Sequence, residues 1–134
     1  MEEQMARRLV AAEGKKLQQA GLVARTWGNI SCRIDENHFV ITPSGLDYET
    51  MTARDLVLMD IRNGVCCGAH KPSSEKGVHL AAYQIFPEVG YVIHTHQTYA
   101  TAIGLCGFEQ LAMTEEEAEA RTQQMLNVYA DFCE

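Results

Sequence analysis

His94-Thr95-His96 is the tightest grouping of chemically capable side chains in this sequence. On a strand, residues two apart project to the same side. Both imidazoles would then point one way, and neutral imidazole nitrogens are standard zinc ligands. The alternative is a pair of histidines bonded to main-chain carbonyls at a strand end. Metal chemistry also needs an acid or base beside the ion. Glu75 stands at the start of a predicted helix, just ahead of the histidine strand, where the helix dipole favours a carboxylate. It could ligate a metal or move a proton, or be a plain first-turn glutamate. His79 lies four residues on, on the same helix face. Glu-x-x-x-His could extend a metal site, but a ring in a local hydrogen bond is the expectation.

Three short segments read as anion cradles. Gly28-Asn29 precedes a strand, Thr42-Pro43-Ser44-Gly45 follows one, and Ser73-Ser74 opens a helix. Glycine lets backbone N–H groups approach an oxyanion, and hydroxyls and helix N-termini donate to it. Each segment alone has an ordinary turn composition. Lys71 could add a cation, although a solvated lysine is the default.

These groups need elements to hold them. Residues 3–20 predict a helix with a loose stripe of Met5, Leu9, Ala12 and Leu17, stopped by Gly21. Residues 29–34 and 38–42 predict two strands joined at Asp35-Glu36-Asn37 as a hairpin. Residues 56–61 predict a third strand, ended by the turn signal Asn63-Gly64. A helix starts at Pro72-Ser73-Ser74, with a serine as N-cap, and runs to about Phe86, before Pro87. Residues 91–95 are a short β-branched run and predict a buried strand. Residues 99–105 predict a short helix closed by Gly107. Thr114 and Glu117 form a capping box ahead of a helix with Ala118, Thr122, Met125, Tyr129 and Phe132 on one face. Interspersed strands and helices place the chain in the α/β or α+β class.

The bulk composition fits this reading. The 134 residues suit one domain, and 46% apolar with 22% charged residues is the balance of a globular protein. A net charge of −7 without a basic run argues against nucleic acid, which needs a cationic face. No signal-peptide pattern and no apolar run of about 20 residues is present, so a cytoplasmic, membrane-free protein is expected. Five cysteines without CxxC spacing predict reduced, mostly buried thiols.

Read in order, four motifs resemble the class II aldolase/adducin family, on its fuculose-phosphate aldolase side. They are Thr-Trp-Gly-Asn-Ile-Ser (26–31), Ile-Thr-Pro-Ser-Gly (41–45), Lys-Pro-Ser-Ser-Glu (71–75) with His79, and His-Thr-His (94–96) followed by Tyr-Ala-Thr-Ala (99–102). The resemblance covers about residues 5–115. It implies a three-layer α/β/α fold around a mainly antiparallel sheet, usually in a homotetramer. It implies that Gly28, Asn29, Ser44, Gly45, Ser73 and Ser74 hold a substrate phosphate. It further implies that Glu75, His94 and His96 bind one Zn²⁺, and that Glu75 then acts as general acid and base. The implied reaction cleaves a ketose 1-phosphate, such as L-fuculose 1-phosphate, to dihydroxyacetone phosphate and an aldehyde. Zinc would polarise the substrate carbonyl. The same scaffold also implies alternatives: a non-catalytic binding or assembly domain, a pentulose-phosphate 4-epimerase, or a methylthioribulose-phosphate dehydratase. Family enzymes run longer, with a third zinc histidine in a later His-Gly segment, whereas no histidine follows His96 here. A truncated N-terminal portion of such an enzyme is therefore expected.

Overall fold

A computed structural model of the protein describes residues 1–23 and 26–95. The first helix, α1, spans Glu3–Gln19. Gly21 ends it at φ 70°, and two capping bonds close the last turn: Gly21 N–H donates to the Gln18 carbonyl and Leu22 N–H to the Leu17 carbonyl, each at 3.0 Å. This is the left-handed stop that glycine adopts without a Cβ clash. The buried face of α1 is Ala6, Val10, Ala11 and Gly14. The expected stripe is therefore rotated: Met5 and Ala12 are exposed, and Leu9 and Leu17 are half-buried. Close approach selects the small residues. A Cβ added at Gly14 would stand 2.5 Å from Cδ1 of Tyr48, so that ring already fills the space.

Strand β1 (Asn29–Arg33) pairs antiparallel with β2 (His38–Ile41) as the expected hairpin. The Asp35 carboxylate fixes its turn, accepting from Asn37 N–H at 2.7 Å and His38 N–H at 2.9 Å. Strand β3 (Val57–Asp60) pairs antiparallel with β2. A two-residue strand missed in the sequence, β4 (Cys66–Cys67), follows the Asn63-Gly64 turn and pairs with β3. Helix α2 (Lys76–Ile85) precedes β5 (Tyr91–His94), which returns to pair antiparallel with β1. The sheet order is β4-β3-β2-β1-β5.

Alternation divides the core into two layers. Ile30, Cys32 and Val40 face α1, packing on Ala6, Val10 and Ala11. Phe39, Ile41, Val57 and Met59 face α2, packing with Tyr83. One helix on each face of an antiparallel sheet is the expected α/β/α arrangement. Arg33 ties α2 to the sheet, donating from Nη2 to the Tyr83 carbonyl at 2.6 Å and from Nε to the Val89 carbonyl at 2.8 Å. It thereby satisfies carbonyls around the helix C-terminus that a polar strand residue does not announce in sequence.

Two further expectations need correction. Strand β5 is not buried: Tyr91 and Ile93 are half-exposed, because among the described residues β5 is an edge of the sheet. Among the described residues the thiols are not mostly buried either. Of the described cysteines, Cys32 lies in the core, while Cys66 and Cys67 are exposed on the opposite edge strand. No helix among the described residues is long and apolar enough to cross a membrane. His96, the 99–105 helix, Gly107, the Thr114/Glu117 box and the helix behind it fall outside the described residues.

Candidate active site

The polar residues of β1 lie on the α2 face. Asn29 and Ser31 alternate with the apolar Ile30 and Cys32, and strand pairing sets Asn29 directly opposite His94 on β5. From above, α2 lowers Glu75, His79 and Tyr83 onto this strip at four-residue spacing. A polar stripe on a helix thus meets a polar strip on a sheet.

Glu75 occupies the N-cap position of α2. The expected serine cap is displaced by two residues: Ser73 Oγ accepts from Glu75 N–H at 3.2 Å, and the Ser73 carbonyl accepts from Lys76 N–H at 3.1 Å. That turn aims the Glu75 carboxylate at the sheet. Its Oε2 lies 2.7 Å from His94 Nδ1, and it accepts a hydrogen bond from the Asn29 side-chain amide. Glu75 and His94 are both partly exposed, whereas Asn29 is buried.

Behind Asn29 the chain of contacts continues inward. His79 Nε2 bonds to Asn29 Oδ1, and His79 Nδ1 lies 2.6 Å from Ser31 Oγ. Ser31 Oγ lies 2.8 Å from the Tyr83 hydroxyl. His79 does make hydrogen bonds, as expected, but to strand residues distant in sequence rather than to local carbonyls. Ser31 and Tyr83 were overlooked in the sequence. Their signal was the match between alternating polar residues on β1 and the i, i+4, i+8 run Glu75, His79, Tyr83.

Burial sets the charge states of this inner chain. Desolvation, with a smaller contribution from nearby His94, lowers His79 to about 4, and the Glu75 charge only partly opposes it. Desolvation pushes the Tyr83 hydroxyl up to about 12. Both groups are therefore neutral near pH 7. For His79 the folded value lies below the ordinary 6.5, so the unfolded chain binds more protons between the two values. Its stabilising contribution is complete above pH 6.5 and is lost as the pH falls toward 4. The loss amounts to roughly 3 kcal/mol at most. Urea unfolding at pH 7 and pH 4.5 should show a steeper decline for the unmodified chain than for His79→Gln. Equal slopes would refute a buried neutral ring.

The expected anion segments are brought together in part. Pro43 and Pro72 form an isolated β-bridge; Ser44 N–H donates to the Lys71 carbonyl at 2.9 Å, and Ser73 N–H to the Thr42 carbonyl at 3.1 Å. The antiparallel bridge thereby sets Ser44 opposite Lys71 and Ser73 opposite Thr42, and the Ser44-Gly45 and Ser73-Ser74 segments leave it in opposite directions. Ser44, Gly45, Lys71 and Ser74 are exposed, and Ser73 is buried. Gly28 has φ 83°, and an added Cβ would stand 2.8 Å from the His94 carbonyl oxygen. Its lack of a side chain lets β5 close on the loop before β1. Asn29 turns its side chain to Glu75 and His79.

Glu75 and His94 offer a carboxylate oxygen and an imidazole nitrogen, donors that suit zinc. Their separation of 2.7 Å is that of a hydrogen bond, somewhat shorter than the roughly 3.3 Å between two ligands of a tetrahedral zinc. Among the described residues, no group of three His, Cys, Asp or Glu side chains converges on one point. His96, the remaining expected ligand, lies outside them.

The family model for the class II aldolase and adducin N-terminal domain matches residues 8–132. The chain belongs to this family. Among curated relatives of this class II aldolase/adducin chain, the L-ribulose-5-phosphate 4-epimerase UlaF of Salmonella paratyphi C (strain RKS4594) is 44% identical over 105 residues. The match takes in 77% of this chain and 46% of the relative. Among solved structures, an L-fuculose 1-phosphate aldolase superposes with TM-score 0.69 at 39% identity, over 73% of this chain and 47% of that one. YgbL of Klebsiella pneumoniae superposes with TM-score 0.70 at 28% identity, over 76% and 49%. The fold is thus the class II aldolase-like fold, and this chain spans about half the length of the relatives it matches.

Proposed function

We infer that this chain carries a metal-binding and acid–base centre for carbon–carbon bond cleavage in a phosphorylated ketose. The observation that carries the reading is the convergence of Glu75, from α2, on His94 and Asn29, from two paired strands. Glu75, His94 and His96 are assigned as ligands of one Zn²⁺. Bound there, zinc would supply a Lewis acid for the substrate carbonyl. Glu75 is assigned the proton transfers at Oε2, where it would accept a substrate hydroxyl proton and return it after cleavage.

The phosphate is assigned to Gly28, Asn29, Ser44, Gly45, Ser73 and Ser74. Support comes from the bridge that ties the two loops together at Pro43 and Pro72, and from the exposure of Ser44, Gly45 and Ser74. Fixing the phosphate away from the reacting carbons contributes by orientation, without chemistry of its own. The assigned reaction is cleavage of a ketose 1-phosphate such as L-fuculose 1-phosphate to dihydroxyacetone phosphate and an aldehyde, in a cytoplasmic homo-oligomer.

A second reading, epimerisation at C4 of a pentulose phosphate, is favoured by the 44% identical epimerase. Both reactions use the same bond. C4 of a 2-ketose is the β-carbon to the carbonyl, so breaking C3–C4 and re-forming it on the other face inverts C4.

The test begins with metal content. Zinc at about one equivalent per chain is expected for the unmodified protein and a large loss for His94→Ala. Equal content in the two would end the metal reading. Zinc-loaded protein given L-fuculose 1-phosphate should then release dihydroxyacetone phosphate. Inversion of L-ribulose 5-phosphate without such release would select the epimerase, and zinc binding with neither reaction would leave a binding domain.

A further inference from the structure

The direction of each hydrogen bond behind Glu75 is forced by the one before it. A carboxylate only accepts, so Asn29 presents its NH₂ to Glu75. The Asn29 carbonyl then faces His79, and Nε2 of that ring must carry the proton. A neutral imidazole has a single N–H, so Nδ1 accepts, and Ser31 donates its hydroxyl across 2.6 Å. The Ser31 oxygen in turn accepts from the Tyr83 hydroxyl across 2.8 Å. Asn29, Ser31, His79 and Tyr83 are each at most 2% exposed, which leaves bulk water little access to replace a partner. The four side chains come from one strand and one helix on opposite sides of a packed layer, so their spacing is fixed by the fold.

An asparagine amide is nearly symmetric in shape but opposite in polarity at its two ends. Turned by 180°, it would set its carbonyl against the Glu75 carboxylate. We propose that His79, held as its Nε2–H tautomer by Ser31 and Tyr83, is a positioning residue that locks the Asn29 amide with its NH₂ toward Glu75. His79 acts through Asn29 and touches neither substrate nor metal. Its consequence for turnover rests on the acid–base reading of Glu75, but the hydrogen-bond order itself does not.

Nitrogen-resolved NMR of the imidazoles and side-chain amides in the 134-residue chain tests this. The expected His79 spectrum has a protonated Nε2 and a bare Nδ1. The Asn29 NH₂ protons should exchange slowly with water and resonate apart from those of exposed amides. His79→Gln places an amide N–H near the former Nε2 position and should keep the Asn29 signals in place. His79→Leu, of similar bulk but without a donor, should shift them and speed their exchange by at least tenfold. A proton on Nδ1 instead of Nε2 would overturn the proposal, as would unchanged Asn29 signals in a folded His79→Leu variant. Should that variant not fold, the tautomer of the unmodified chain decides alone. None of these readouts needs turnover, so loss of the catalytic reading and loss of this one are separable.

Discussion

Glu75→Gln is expected to lower turnover on the responsive ketose phosphate by about 10²–10⁴-fold while the chain stays folded. Gln has the same shape and its amide oxygen can still accept from Asn29, so the contact to β1 survives. What disappears is the capacity to take a proton and give it back. The amide is also a poorer zinc ligand than a carboxylate, so metal content should fall as well. Turnover is therefore best measured at saturating zinc, with bound metal determined on the same sample. A Gln variant that keeps more than about a tenth of the unmodified rate at full zinc occupancy would remove Glu75 from the proton transfers.

The second large effect is on stability. Gly28→Ala should destabilise the chain by roughly 2–5 kcal/mol. Two costs combine. The residue sits at φ 83°, where L side chains are strained. Its new Cβ would also stand 2.7 Å from Val23 Cγ1 and 2.8 Å from the His94 carbonyl oxygen. The valine methyl group can yield to some extent, but the carbonyl belongs to the β5 backbone and moves only with the strand. That strand carries His94, so the damage should reach the site, and zinc affinity should fall along with stability. Urea denaturation measures the first effect and zinc titration the second. A variant within 0.5 kcal/mol of the unmodified chain would show that β5 does not press on this glycine. Asn29, Glu75 and His94 form one contact unit, so effects at Gly28 and Glu75 on zinc affinity should not add.

Much of this site was legible in the sequence. Glycine and Asx turn chemistry is local, so the stop at Gly21, the Asp35 hairpin turn and the Asn63-Gly64 turn could be read directly. Strand runs are also local, and they marked residues 29–34 and 38–42 as a hairpin. The position of Glu75 at a helix start and of His94 near a strand end followed from the same short-range rules. Motif order then gave the family.

The rest depended on which distant elements meet. The buried face of α1 was misread because apolar periodicity weighs Met5 and Leu9 above Ala6 and Gly14, whereas a helix pressed close to a sheet and to Tyr48 has room only for small residues. Burial of β5, Cys66 and Cys67 could not be judged before the sheet order made β4 and β5 edges among the described residues. His79 was visible as Glu75's helical neighbour, but its partners Asn29 and Ser31 lie 50 and 48 residues away. Sequence by itself determined the types of side chain available and the faces they share, since these follow from bonds within a few residues. The tertiary structure alone decided the register of β1 against β5 and the seating of α2 above them, because those contacts are set by packing between segments that carry no local record of each other.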